Sequence, residues 1–146
     1  MQGIFNNEIL IAAALSWFIA QMIKLVLTLF NEKKLDLSKL TSSGGMPSSH
    51  SSLTVALAVG IGQAHGYDST LFAIGFVFSA VVMYDAANVR LQAGNHAILL
   101  NKILEQMKDH TISMEFTLKE LLGHTPIQVL AGAILGAVVA LMYVPV

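Results

Sequence analysis

Two histidines in this chain each stand beside the predicted start of a helix. The first belongs to the string Gly44-Gly45-Met46-Pro47-Ser48-Ser49-His50-Ser51-Ser52, which precedes an apolar run. Its glycines let the backbone approach a ligand closely, Pro47 suits a first helical turn, and Ser48 and Ser49 can cap that turn. Free N–H groups at a helix start bind phosphate and other anions. His50 can then donate a proton to a leaving oxygen, although a capped glycine-serine loop is the simpler alternative.

A second string has the same arrangement ahead of another apolar run. Gly123 and His124 precede Thr125, the predicted N-cap, and Pro126, the predicted first helical residue, and Gln128 follows. The alternative for this histidine is a capping or interface role. Two histidines at two helix starts favour phosphoryl transfer, in which one imidazole attacks phosphorus and the other protonates the leaving group.

Three ionisable residues lie within or at the ends of apolar runs, namely Lys24, Asp85 and Arg90. Charges at membrane depth are costly and usually face a bundle interior or a functional site. We expect Lys24 and Arg90 to hold phosphate oxygens. The alternatives are snorkelling to the interface for Lys24 and a positive-inside anchor for Arg90. Asp85 should be neutral or paired, with a cation or with His124 as its partner.

The composition indicates that membrane helices position these residues. Of 146 residues, 55% are hydrophobic and only 12% are Asp, Glu, Lys or Arg, whereas a soluble domain carries about 25% charged residues. Too few charges are present to cover a soluble surface. The net charge of -1 lacks the basic excess that a nucleic-acid partner requires, and the absence of cysteine excludes disulfides and thiolate metal sites.

Four apolar runs predict an all-α integral membrane bundle in a single domain, residues 1–146. The predicted spans are about 9–30, 47–64, 69–89 and 126–144. A short turn should join the second and third spans into a hairpin. Residues 91–122 have apolar positions at helical spacing and are predicted to form an amphipathic interfacial segment, with a second short amphipathic stretch at Ser113–Leu122. Because four spans make a thin bundle, a homodimer is also expected.

The basic residues predict the orientation of the bundle. All eight fall on one side of the predicted spans, in loops 31–50 and 90–125, with Lys24 near the border. The positive-inside rule makes that side cytoplasmic. Both termini would then lie outside the cell, and the candidate site would face the cytoplasm.

These strings resemble a known superfamily, the type 2 phosphatidic acid phosphatases and vanadium haloperoxidases. Pro47-Ser48-Ser49-His50 is similar to its Pro-Ser-Gly-His motif, with serine in the place of glycine. His124-Thr125-Pro126-Ile127-Gln128-Val129, followed by Gly132 and Gly136, resembles the end of its third motif. The run Tyr84-Asp85-Ala86-Ala87-Asn88-Val89-Arg90-Leu91-Gln92-Ala93-Gly94, with Leu100-Asn101-Lys102, is closer still to the compact divergent branch found in bacteria and plants. The resemblance covers about residues 20–136.

The resemblance implies a role for each candidate residue. His124 would be the nucleophile that forms a phosphohistidine, and His50 would be the general acid. Lys24, Arg90 and the backbone of residues 45–49 would bind phosphate, and neither a metal nor another cofactor would be required.

The chain departs from the superfamily pattern at three positions. No Arg-Pro follows Lys24, Leu118 stands where an arginine would precede the nucleophile, and Gln128 replaces the orienting aspartate. A glutamine can hold the imidazole tautomer but cannot stabilise its cation. Asp85 is the candidate replacement for the missing aspartate.

We therefore expect a membrane lipid phosphatase that acts on a phosphomonoester or diphosphate. Phosphatidate, phosphatidylglycerophosphate and prenyl phosphates are the substrates consistent with the family. Two alternatives remain at this stage. One is a non-catalytic lipid-phosphate-binding or regulatory membrane protein, and the other is a small transporter or channel subunit with Asp85 and Lys24 in a polar pathway.

Overall fold

A computed structural model describes residue 3 and residues 6–32, 45–107 and 123–145. The elements in chain order are α1 (Glu8–Glu32), α2 (Ser49–His65), α3 (Thr70–Tyr84), a π turn (Asp85–Val89), α4 (Arg90–Met107) and α5 (Pro126–Tyr143). No strand occurs among these described residues, which confirms the all-α prediction. The predicted stretch Ser113–Leu122 lies outside them, as do the basic residues Lys33, Lys34, Lys39, Lys108 and Lys119.

The described helices form a membrane bundle around α2. Three helical stretches are long and apolar enough to cross a bilayer, namely Glu8–Phe30, Thr70–Glu105 and Pro126–Tyr143. With 17 residues, α2 reaches only about 25 Å at about 1.5 Å per residue. It packs against α1, α3 and α5, so α2 occupies the centre and the three long apolar stretches surround it.

The start of α2 corrects one prediction. Pro47 was expected inside the first helical turn, but the helix begins at Ser49 and Pro47 precedes the cap. The reason is that Ser48 is the N-cap, with an extended backbone (φ -67°, ψ 113°) and a side chain that accepts the Ser51 N–H. A capping residue of this kind lies outside the helix, and so does everything before it.

Glycines on α5 allow α2 and α5 to touch backbone to backbone. A Cβ atom at Gly132 would overlap the Ser48 carbonyl oxygen, and one at Gly136 would overlap the Ser52 carbonyl oxygen. Close packing of this kind is the usual role of small residues four positions apart in membrane helices. The contact brings the start of α2 alongside the start of α5.

Buried hydroxyl groups fix the register of the other two α2 interfaces. The Ser16 and Ser52 side chains hydrogen-bond to each other between α1 and α2, and the Ser52 hydroxyl also donates to the Ser16 carbonyl at 3.2 Å. Ser79 on α3 donates to the Thr54 hydroxyl on α2 at 3.3 Å. In an apolar surrounding such bonds are costly to leave unmade, so they define one alignment of the helices.

The third span and the first part of the predicted amphipathic segment form one continuous helical stretch. The chain continues from α3 through the π turn into α4, so residues 91–107 are helical and directly follow the span. Residues 84–93 contain no proline or glycine that could end a helix. Polar residues in this stretch resemble a helix end in the sequence, but the backbone accommodates them in one wider turn.

Candidate active site

The starts of α2 and α5, the π turn and the second half of α1 meet at one end of the described bundle. The Ser48 N–H donates to the Gln128 carbonyl oxygen at 3.0 Å and joins the start of α2 to α5. The His124 N–H donates to the Ala86 carbonyl oxygen at 3.1 Å and joins the start of α5 to the π turn. Lys24, in the second half of α1, packs its side chain against Gly45. The structure thus gathers the candidate residues that the sequence spreads over a hundred positions.

His124 is almost completely enclosed, with only 1% of its surface exposed. Its Nδ1 atom lies 3.3 Å from Gln128 Oε1, which also accepts the Thr125 N–H at 3.1 Å. Because an oxygen that accepts a backbone N–H must also be an acceptor towards the ring, we infer that Nδ1 carries the proton. The lone pair of the imidazole is then on Nε2.

His124 Nε2 is buried and has no hydrogen-bond partner among the described residues. Buried polar atoms in native structures are almost always partnered, so one that is not requires an explanation. A site for a phosphate group beside Nε2 would explain this missing partner.

The surroundings of His124 keep it uncharged near neutral pH. Burial lowers the pKa of the imidazole below its ordinary value, and the positive charges of Lys24 and His50 lower it further. The hydrogen bond with the Gln128 side chain and the proximity of the Gly45 backbone raise the pKa without cancelling the effect of burial. A neutral imidazole with its Nε2 lone pair free is the form that can attack an electrophile.

The start of α2 provides backbone donors next to this histidine. The Ser48 side chain is already engaged, because its hydroxyl bonds to the Ser51 backbone N–H and hydroxyl. Ser48 therefore acts as the helix cap and as the link to α5. The N–H groups of Ser49 and His50, at the first two helical positions, have no acceptor within the helix and are the ones suited to an anion.

Lys24 lies inside the bundle, with 3% of its surface exposed. Cγ of its side chain would be 3.1 Å from a Cβ atom at Gly45, a residue whose φ of +91° favours glycine. The charge of Lys24 acts on both His50 and His124. This position is inconsistent with snorkelling along the lipid surface, and it places the cation next to the predicted phosphate cradle.

Asp85 and Arg90 form an ion pair with each other at the end of the π turn. Arg90 Nε lies 2.6 Å from Asp85 Oδ2, and both side chains are partly exposed (47% and 38%). They are five positions apart in the sequence, which is the i to i+5 spacing of hydrogen-bonded residues in a π turn. The hypothesis that Asp85 orients His124 is therefore wrong, because Gln128 occupies that place and Asp85 is paired with Arg90. Both groups act electrostatically on half-buried His50, so Arg90 lies on the His50 side of the site.

Sequence reasoning missed the hydroxyl pairs that hold α1, α2 and α3 in register, although Ser16 and Ser79 stand out as polar residues in apolar runs. It also missed the double role of Gln128 as capping-box residue and ring partner. Within the described ranges, no group of three or more His, Cys, Asp or Glu side chains is arranged to hold a metal ion.

Comparisons with known proteins agree with this architecture. The family model described as "Divergent PAP2 family" matches residues 5–139. The uncharacterized membrane protein YuiD of Bacillus subtilis (strain 168) is 38% identical over 150 residues, covering 95% of each chain. No solved structure matches the chain. A model that covers nearly the whole sequence identifies the chain as a member of the divergent PAP2 family.

Proposed function

We propose that this protein is a membrane lipid phosphatase that hydrolyses a phosphomonoester or diphosphate through a phosphohistidine at His124. One observation carries the proposal. The Nε2 atom of a fully buried, tautomer-fixed histidine lacks a partner among the described residues, and it lies beside a buried lysine and the start of α2. These are the parts that an in-line attack on phosphorus needs.

The reaction then divides into two displacements. In the first, the His124 Nε2 lone pair forms a bond to phosphorus, the bond from phosphorus to the ester oxygen breaks, and His50 gives that oxygen its proton. In the second, His50 takes a proton from water, whose oxygen attacks phosphorus and releases inorganic phosphate and free His124. Lys24 and the N–H groups of Ser49 and His50 hold the phosphoryl oxygens throughout.

Gln128 gives this site its distinctive chemistry. As a neutral amide it fixes the Nδ1–H tautomer, but it adds no negative charge to stabilise the ring once phosphorus is attached. The phosphohistidine should therefore be more reactive than one backed by a carboxylate. The same residue motivates the second candidate function, a lipid-phosphate-binding protein without turnover.

Phosphate release by the purified protein tests the proposal. We expect wild type to release inorganic phosphate from at least one member of a panel containing phosphatidate, phosphatidylglycerophosphate and prenyl mono- and diphosphates. His65→Asn, at the opposite end of α2, should leave the rate unchanged because that histidine is exposed and remote from the site. Binding of these lipids without any release would favour the second candidate function.

We also propose that the site faces the cytoplasm and that both termini lie outside. The support is the placement of all eight basic residues on the side of the site. The chain has no cysteine, so single cysteines can report sidedness. In intact cells, an impermeant thiol reagent should label Tyr67→Cys, at the exposed turn between α2 and α3, but not Ser43→Cys. Labelling of Ser43→Cys alone would reverse the orientation.

A further inference from the structure

An apolar groove of about 580 Å³ runs between α1, α2 and α3. Both α1 and α3 pack against α2, which forms the floor of the groove. The apolar lining includes Leu10 and Ala13 on α1, Leu53 and Leu57 on α2, and Phe78 and Val82 on α3. The proposed reaction involves His50 at one end of this groove and leaves its apolar length without a role.

One end of the groove is polar and belongs to the candidate site. His50, Asp85 and Arg90 line that end, whereas Leu10 and Leu57 line the other. From His50 to Leu57 is seven residues of helix, or about 10 Å at the usual rise. A molecule lying along the groove would therefore have one end beside the proton donor and the rest among side chains that are apolar except for Thr54.

We infer that this groove binds one hydrocarbon chain of the phosphorylated lipid, with the phosphate ester at the His50 end. This inference rests on the proposed function and specifies where the substrate's chain lies. Charge complementarity supports a phosphorylated lipid over a neutral one, because two cations, Arg90 and Lys24, act on His50 at the polar end against the single carboxylate of Asp85. The side chains of Phe78 and Val81 line the groove on α3 and are themselves exposed, so the groove opens where hydrocarbon surrounds the bundle.

A single chain suits the groove better than a helix from another protein. A helix with its side chains is about 10–12 Å across, and a helix seated on α2 would have to separate α1 and α3 from it. A hydrocarbon chain has the width of one aliphatic side chain and fits between helices that both remain in contact with α2.

Fluorescence quenching tests the inference without requiring turnover. Trp17 is the only tryptophan of the chain, so Trp17→Phe gives a dark background. In that background, Val81→Trp places a reporter at the rim of the groove and Ile134→Trp places one on the exposed face of α5. The probe is a lipid phosphonate with brominated chains, whose carbon–phosphorus bond cannot be hydrolysed, as a minor component of phosphatidylcholine vesicles.

We expect the phosphonate to quench Val81→Trp several-fold more than brominated phosphatidylcholine at the same mole fraction, and to quench Ile134→Trp equally with either lipid. Equal quenching of Val81→Trp by both lipids would overturn the inference, because the groove would then hold bulk lipid. Protection of Val81→Trp from both lipids, together with crosslinking to a second copy, would also overturn it and identify a protein occupant.

A variant that fills the groove separates this inference from the proposed function. Leu57→Trp should raise the KM for a long-chain lipid phosphate at least about tenfold, since two or more methylenes lose their burial. Its rate with a short, water-soluble phosphomonoester should not change. Selective quenching by the phosphonate, without phosphate release from any substrate, would refute the proposed phosphatase activity and support lipid-chain binding in the groove. If Leu57→Trp releases phosphate from long-chain substrates as well as wild type does, lipid-chain binding in the groove is refuted and the phosphatase activity stands.

Discussion

Replacing His124 by asparagine is expected to lower phosphate release by at least about 10³-fold, because removal of a nucleophile that works with partner groups eliminates nearly all of their joint effect. Asparagine keeps a donor near Gln128 Oε1, which accepts from both His124 and Thr125 in wild type. The cap of α5 should therefore survive while the Nε2 lone pair is lost. The measurement is phosphate release per mole of protein of verified helical content.

A matched variant at His50 should fail at a different step. With an aryl phosphate, whose leaving group needs no proton, His50→Asn should still form the phosphoenzyme and then hydrolyse it slowly, giving a burst of phenol followed by a slow phase. His124→Asn should give neither phase. A phosphoenzyme that persists in His124→Asn would mean that another residue is the nucleophile.

The pH dependence of wild type provides a second check on the same residue. Because burial lowers the pKa of His124, the imidazole stays neutral at pH values where an ordinary histidine is already protonated. The acid side of the kcat/KM profile should therefore fall below about pH 6.5, the unperturbed value for histidine. If the rate begins to fall well above that pH as the solution is acidified, the nucleophile is not a buried neutral histidine.

The second large effect is expected from Gly132→Ala, a substitution that touches no substrate. The added Cβ would overlap the Ser48 carbonyl oxygen, and the contact is with backbone, so α2 and α5 must move apart. Overpacking of this kind destabilises by about 1–3 kcal/mol. The start of α2 would also shift relative to His124, and a displacement of about 1 Å in a catalytic arrangement costs about 10²-fold in rate.

Thermal unfolding in detergent and phosphate release measure the two effects of Gly132→Ala. The graded control is Gly75→Ala on α3, where the nearest atom to the new Cβ is the end of the Ile61 side chain at 3.2 Å. That flexible group can give way, so Gly75→Ala should change both quantities little. Equal effects at the two glycines would show that the α2–α5 contact has no special role.

The start of α5 was predicted in detail because its signals are local. Thr125 caps the helix and Pro126 begins it, as predicted from these two adjacent residues. Local chemistry of this kind depends little on the rest of the fold. The gathering of Lys24, His50 and His124 was also predicted, because antiparallel spans of similar length bring alternate ends together.

The π turn was not predictable in the same way. Asp85 and Arg90 read as polar residues at the end of a span, and helical periodicity gives no reason to place residues five apart in contact. Their ion pair depends on a backbone that widens by one residue, which the neighbouring Gly123 and His124 contact from outside the helix. Likewise, Ser48 and Ser49 could each have capped α2 from the sequence, and the Ser48 cap is accompanied by a link from its N–H to the Gln128 carbonyl oxygen, between distant parts of the chain.

A single atom, Gln128 Oε1, both caps α5 and orients the His124 ring. Helix ends open and close far more often than whole proteins unfold, and each opening of this first turn would release the imidazole. The ring is held in this alignment only while the turn is closed, so the closed fraction sets an upper limit on the aligned fraction. Amide hydrogen exchange at Thr125 and Gln128 would then report, residue by residue, how often the site is ready to react.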